Sequence, residues 1–286
     1  MRVLVTGAGG QLGREVVALC TAAGDEVVPC DRAMLDVTDR DQVLQVIGAA
    51  APDAIVHAGA WTNVDGCEGD PDHAYAANAL GTRHVVEGAR MVEARVCYVS
   101  TDYVFDGTGT RPYHEWDTVN PLSVYGRSKL GGEAALWPQD TVVRTSWVCG
   151  RQGRNFVRTI LSRAAEGQQL TVVDDQYGCP TFAEDLAEMI RRLVVARLPG
   201  LFHVTNQGPT TWYRFARDAV EAAGLDARLV TPITTAEMQP PRPAPRPAYS
   251  VLDNAALRLS GMPLLPDHHE PLERLAKEIV SSGSMT

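Results

Sequence analysis

Short apolar runs alternate with longer amphipathic stretches through the first half of the chain. Val3-Leu4-Val5-Thr6 reads as a strand, after which Leu12, Val16, Leu19, Cys20 and Ala23 recur at helical spacing and predict a helix from about 10 to 23. The same alternation predicts strands over 26–30, 54–57, 96–100 and 141–144. Between them it predicts helices over 41–50 and 72–93, the second broken near Gly81, and a further helix carrying Lys129. Strands separated by helices of this length build a parallel sheet covered on both faces. Residues 1–147 are therefore expected to be a doubly wound α/β domain. After that the rhythm loosens into helices near 154–166, 183–196 and 212–223, separated by loops carrying Gly, Pro and Asn. Residues 148–286 are read as mainly a smaller, mixed substrate-binding domain, with chain beyond 150 free to cross back into the sheet.

The segment 240–247 holds five prolines and predicts an extended surface loop. The tail "SSGSMT" has nothing to bury and is expected to fray. No apolar run approaches the roughly 18 residues of a membrane span. The start of the chain shows no long apolar leader, so a cytoplasmic protein is expected.

Charge narrows the partners. A net charge of −9 at pH 7, without a Lys/Arg-rich cluster, argues against nucleic acid. The six cysteines lie scattered with no C-x-x-C pair, which indicates neither zinc nor a redox dithiol. Only Lys129 and Lys277 among 26 basic residues are lysines.

"VTGAGGQLGREV" sets Gly7, Gly10 and Gly13 between a strand and a helix, around Gln11 and Leu12. Glycines there let a backbone approach a pyrophosphate that rests on the helix amides, the phosphate turn of a Rossmann domain. Asp31, closing the second strand, suits an adenosine ribose and NAD; its neighbour Arg32 suits a 2′-phosphate and NADP. Asp36 and Val37 have the chemistry to meet adenine, although Asp36 reads almost as well as a helix cap. Small residues after the third strand, Ala58, Gly59 and Ala60, leave room for a cofactor, with Trp61 and Thr62 following.

Tyr125 and Lys129, four apart on a helix, share one face. A tyrosine, with a reference pKa of about 10, exchanges a proton near neutrality only if its anion is stabilised, which a neighbouring ammonium does. Lysine also directs three donors toward ribose hydroxyls from a flexible stem. Some 24 residues upstream, "STDYVFDG" offers Ser100 and Thr101 at a strand end, where open α/β sheets bind ligands.

Glycine turn, Ser/Thr at a strand end and Tyr-x-x-x-Lys together resemble the extended short-chain dehydrogenase/reductase family. "STDYVFDG", "NPLSVYGRSKLGGE", "VVRTSWVCGRQGRNFV", "DDQYGCPT", "GLFHVTNQGPTTWYRFA" and "RPAYSVLDN", in that order, are similar to the dTDP-4-dehydrorhamnose reductase branch of it. The resemblance implies reduction of the C4 keto group of dTDP-4-dehydro-L-rhamnose by NADPH or NADH. It further implies Tyr125 as the acid, Lys129 as its partner and ribose anchor, and Thr101 as the hydroxyl holding the substrate oxygen. Asp102, Trp147, Asn155, Gln176 and Arg246 fall on positions near the dTDP-sugar, Arg246 as the cation for its diphosphate. Glu15 and Glu184 match positions at which some relatives carry Mg²⁺ at a dimer contact, and a homodimer is expected. Departures are His57 where asparagine is common, Gly59 where alanine is, and Cys149 where an aromatic is frequent. Two alternatives stay open: an epimerase or dehydratase of the same family, and a non-catalytic subunit resembling the partner of methionine adenosyltransferase.

Overall fold

The computed structural model describes residues 1–281; residues 282–286, most of the tail expected to fray, lie outside the described residues. Six strands form the central sheet: β1 (Arg2–Thr6), β2 (Glu26–Cys30), β3 (Ala54–His57), β4 (Arg95–Thr101), β5 (Thr141–Thr145) and β6 (Gly200–His203). Their order is β6-β5-β4-β3-β1-β2, and every pairing is parallel.

Alternation along β1 explains the two layers. Val3 and Val5 point into one core and Leu4 into the other. The first core is closed by α1 (Gln11–Ala22), through Leu12, Val16 and Cys20. On the opposite face α2 (Arg40–Ala50) and α3 (Gly81–Met91) bring Val43, Ile47, Val85 and Val86 against Leu4 and Ile55. Each such fully buried aliphatic side chain contributes roughly 1.5–3 kcal/mol. Because β2 and β3 lie on opposite sides of β1, the chain reverses direction across the sheet there. That reversal opens a crevice beyond the carboxyl ends of β1 and β3.

The helix expected over 72–93 does not break at Gly81, whose φ of −56° is helical. Instead Pro71–Tyr75 runs through a π-helical turn, Ala76–Leu80, directly into α3. Nor is Asp36 a helix cap: Asp39 caps α2 by accepting from the Gln42 amide. The helix of Tyr125 and Lys129 is α4 (Val124–Glu133), capped by Ser123.

Beyond residue 147 come α5 (Phe156–Ala165), α6 (Ala183–Val195), α7 (Trp212–Ala222) and α8 (His269–Ser281). Helix α6 packs on α1 and β6 pairs with β5, so this stretch completes the first core through Leu186, Ile190 and Phe202. Helices α5, α7 and α8 enclose a second core around Leu161, Phe215, Leu272 and Ile279, flanked by the parallel pair Leu170–Val173 and Val230–Ile233. The proline-rich segment is an irregular loop, seated by Pro247 against Gly107 and by the buried Ala244. No helix among the described residues is long and apolar enough to cross a membrane.

Candidate active site

The glycine turn is built by close approach. Gly7 has φ of +66°, and a Cβ there would meet the Gly59 backbone at 2.8 Å. A Cβ on Gly13 would lie 2.1 Å from the Gly7 carbonyl. Gly10 caps α1 with extended backbone and no side-chain hydrogen bond, leaving the first amides of α1 to an external acceptor. An anion at a helix N-terminus is favoured by these donors and by the helix dipole.

Beyond this turn lies a cleft of about 780 Å³. Of the residues expected from sequence, it is lined by Gly7, Gly10, Gln11, Leu12, Gly13, Asp31, Arg32, Ala58, Ala60, Thr62, Thr101, Asp102, Tyr125, Lys129 and Trp147. A smaller recess of about 140 Å³, sharing Gly7, Arg32 and Ala60, is lined by Asp36, Val37 and Trp61. One carboxylate oxygen of Asp31 accepts from the Ala33 and Met34 amides. Arg32 is exposed at the rim.

Tyr125 stands on the cleft wall, edge-on to Tyr103 at 5.8 Å between ring centroids. Burial pushes its phenol above the ordinary value, and the Thr101 hydroxyl, within hydrogen-bonding reach, pulls the other way. Thr101 in turn donates to Asp102 at 3.0 Å. Burial raises the Asp102 carboxyl to about 6, opposed by hydrogen bonds from Ser250, at 2.6 Å, and from Thr101. Lys129 is 2% exposed. Its Nζ donates to the Val99 carbonyl at 2.7 Å and lies 4.1 Å from the Tyr98 ring centroid. Burial draws its pKa down to about 7, against the pull of Glu133. The ammonium is thus held by the Val99 carbonyl and the Tyr98 ring.

Three of the residues expected near the dTDP-sugar do not line the cleft. Asn155 caps α5 and donates to the Gln11 side chain at 3.1 Å, so it reaches the cleft only through Gln11. Gln176 is bonded to Thr235 at 2.9 Å. Arg246, the expected diphosphate cation, makes a two-pronged pair with Asp65 at 2.5 and 2.9 Å, beside Arg242.

Other residues of the site escaped sequence reading. Trp212, at the start of α7, stacks on Trp147 at 3.6 Å between centroids. Trp147 has φ of +49°, and Gly178 lies so close that a Cβ there would be 2.5 Å from the indole. Thr145 lines the cleft and has a buried hydroxyl without a hydrogen-bond partner. Asn78, in the π-helical turn, holds the Trp61 amide at 2.8 Å and Ser128 at 2.9 Å, tying the loop after β3 to α4. Glu133, which faces Lys129, is fixed by Arg144 and Ser100.

Glu15 and Glu184 do meet, in a surface recess that also contains Glu278. Arg151 lies 2.7 Å from Glu184 and 3.4 Å from Glu278, and Arg274 lies 3.5 Å from Glu184. Burial raises the Glu15 carboxyl, with Arg151 opposing. Two guanidinium groups already answer the charge of these carboxylates, so as placed they do not fit a Mg²⁺ centre.

The chain is 41% identical to the spore coat polysaccharide biosynthesis protein SpsK of Bacillus subtilis over 264 residues, 91% of this chain and 92% of that protein. It is 40% identical to a dTDP-4-dehydrorhamnose reductase of Streptomyces griseus over 270 residues, 91% of this chain and 88% of that one. The crystal structure of the Bacillus anthracis dTDP-4-dehydrorhamnose reductase in complex with NADP superposes with a TM-score of 0.93 at 38% identity, covering 97% of this chain and 99% of that one. The family described as RmlD substrate binding domain matches residues 1–281, and this chain belongs to it.

Proposed function

We propose that the protein reduces the C4 keto group of dTDP-4-dehydro-L-rhamnose to give dTDP-L-rhamnose, with NAD(P)H as the reductant. The observation that carries this reading is the Tyr125 phenol, beside the Thr101 hydroxyl, in the same cleft as the glycine turn. The reductases among its relatives support the substrate class, and the NADP complex of one supports the cofactor.

The reading assigns the glycine turn and the free amides of α1 to the pyrophosphate, and the recess of Asp36 and Val37 to adenine. Arg32 at the rim suits a 2′-phosphate, which favours NADPH. When bound, the nicotinamide supplies the hydride. Tyr125 gives its proton to the C4 oxygen as negative charge develops there. Its raised pKa keeps the phenol protonated at neutral pH, the form a reduction requires. The Thr101 hydroxyl, turned from Asp102 toward the substrate, donates its one proton to the same oxygen. Lys129, turned from the Val99 carbonyl toward the ribose, would anchor the cofactor and bring its charge nearer the ring. Trp147 and Trp212 offer a stacked aromatic wall to the sugar nucleotide. In this assignment residues 1–147, completed by α6 and β6, hold the dinucleotide, and most of the remainder holds the sugar nucleotide.

Mixing the protein with NADPH and dTDP-4-dehydro-L-rhamnose tests the reading by absorbance. One nicotinamide oxidised per sugar reduced supports it. Sugar conversion without net oxidation favours an epimerase or dehydratase, and no change in either favours a non-catalytic subunit.

A further inference from the structure

Where α8 packs on α7, Asp218, His268 and His269 bring three ligand atoms within 4.8 Å of one another. None of the three lines the cleft. His268 directly precedes α8, His269 opens it, and Asp218 faces them from α7. We propose that these residues bind one divalent ion of the zinc class through the two Nε2 atoms and a carboxylate oxygen, leaving a fourth position to solvent.

Hydrogen bonding has already set the tautomer of both imidazoles for this, and because the rings stack with centroids 4.1 Å apart, the exposed His269 ring must turn for both Nε2 atoms to face one ion. Nδ1 of His268 lies 3.2 Å from the Gln207 carbonyl, which can only accept, so the ring proton sits on Nδ1. Its Nε2 is left with a lone pair, and that atom is buried without a hydrogen-bond partner, on a residue only 2% exposed. Such an orphaned group costs free energy that a ligand would recover. His269 repeats the arrangement: Nδ1 lies 2.6 Å from an Asp267 carboxylate oxygen, and Nε2 lies 3.7 Å from Asp218. At 3.7 Å nitrogen and oxygen are too far apart to hydrogen-bond. An ion at about 2.0–2.2 Å from each spans that gap at a wide angle. A metal-bound histidine commonly gives its other ring N–H to a carboxylate or a backbone carbonyl, and here one does each.

The local charge agrees with a cation. Asp218 and Asp267 flank two imidazoles, and the nearby Arg217 is paired with Glu221 at 3.0 Å. The imidazole and carboxylate donors suit zinc better than magnesium. Occupancy would tie the first turn of α8 to the middle of α7, the helix that carries Trp212.

The test uses the whole chain, stripped with a chelator and titrated with Co²⁺. One equivalent should give the intense visible bands of tetrahedral Co²⁺, discharged by Zn²⁺, and Zn²⁺ should raise the thermal midpoint. His269→Ala and Asp218→Asn, at partly or fully exposed positions, should each weaken Co²⁺ binding at least tenfold and remove the Zn²⁺ shift. His114→Ala, at a separate histidine–carboxylate pair, should leave both readouts unchanged. If His268→Gln fails to fold, the two surface variants decide. Absence of a tetrahedral spectrum, or an undiminished one in both surface variants, overturns the proposal.

Discussion

His57 Nδ1 and Thr6 Oγ1 lie 2.6 Å apart, joining β3 to β1 beneath the glycine turn. Thr6 also accepts from the Gly59 amide at 3.1 Å, while His57 Nε2 reaches Thr82 at 3.1 Å and Thr82 donates to the Asn78 carbonyl at 2.7 Å. Following the protons, the imidazole carries its hydrogen on Nε2 and accepts on Nδ1. The chain of bonds sets Gly59 against Gly7, which fixes the floor of the cleft.

This neutral histidine makes stability depend on pH. Burial first, then the charge of Lys129, lowers its pKa to about 3. Between about 6.5 and 3 the unfolded chain takes up a proton that the folded one refuses, so stability falls as pH falls. At pH 4.5 the loss from this residue is on the order of 2–3 kcal/mol. His203, also drawn to about 3, chiefly by burial, adds a similar loss. His57→Asn should therefore reduce the drop in urea midpoint between pH 7 and 4.5. An unchanged drop would place the sensitivity elsewhere.

Tyr125→Phe removes the proton donor while leaving the ring against Tyr103. Turnover with the keto sugar and NADPH should fall at least 10²-fold, the lower end for loss of a general acid. Cofactor affinity, read by fluorescence titration, should change little, because the pyrophosphate turn is untouched. Near-parental turnover would remove the phenol from its assigned role.

Arg32→Ala should separate the two cofactors. A 2′-phosphate at the rim gains a charge-assisted bond from the guanidinium, about 1.5–3 kcal/mol. KM for NADPH should rise at least tenfold while KM for NADH stays within about twofold. Equal changes in both would mean that Arg32 does not read the phosphate.

The cofactor side of this site was legible because it is local. A strand, a glycine turn and a helix follow one another within "RVLVTGAGGQLGREV", and Tyr125 and Lys129 are neighbours by helical geometry alone. The substrate side is assembled by contacts between distant segments, which no spacing announces. Trp212 joins Trp147 across 65 positions because α7 packs in the second core. Arg246 has the right chemistry for a diphosphate, but its guanidinium is engaged by Asp65, 181 residues away. Asn155 and Gln176 were recognised as polar and near the site, yet their amides serve the scaffold. The pairing of β6 with β5 and the packing of α6 on α1 likewise join segments far apart in the chain.

Lys129 gives the last test, and its sign is opposite to that of His57. Its folded pKa of about 7 lies well below the 10.5 of a free lysine. Below pH 7 both states hold the proton and the full penalty of burying an ammonium is present. From about 7 to 10.5 the folded protein has lost its proton while the unfolded chain keeps it, so stability of the cofactor-free protein rises with pH. Lys129→Met deletes the ammonium and keeps the stem that packs on Tyr98. Its stability should exceed that of the parent at pH 6.5 and converge toward it by pH 9.5, while NADPH affinity falls at neutral pH. Arginine at this position should not substitute, because a planar guanidinium cannot enter the space between the Tyr98 ring and the Val99 carbonyl that the ammonium occupies. If urea unfolding showed the same pH slope in Lys129→Met as in the parent, the buried ammonium would not be its source.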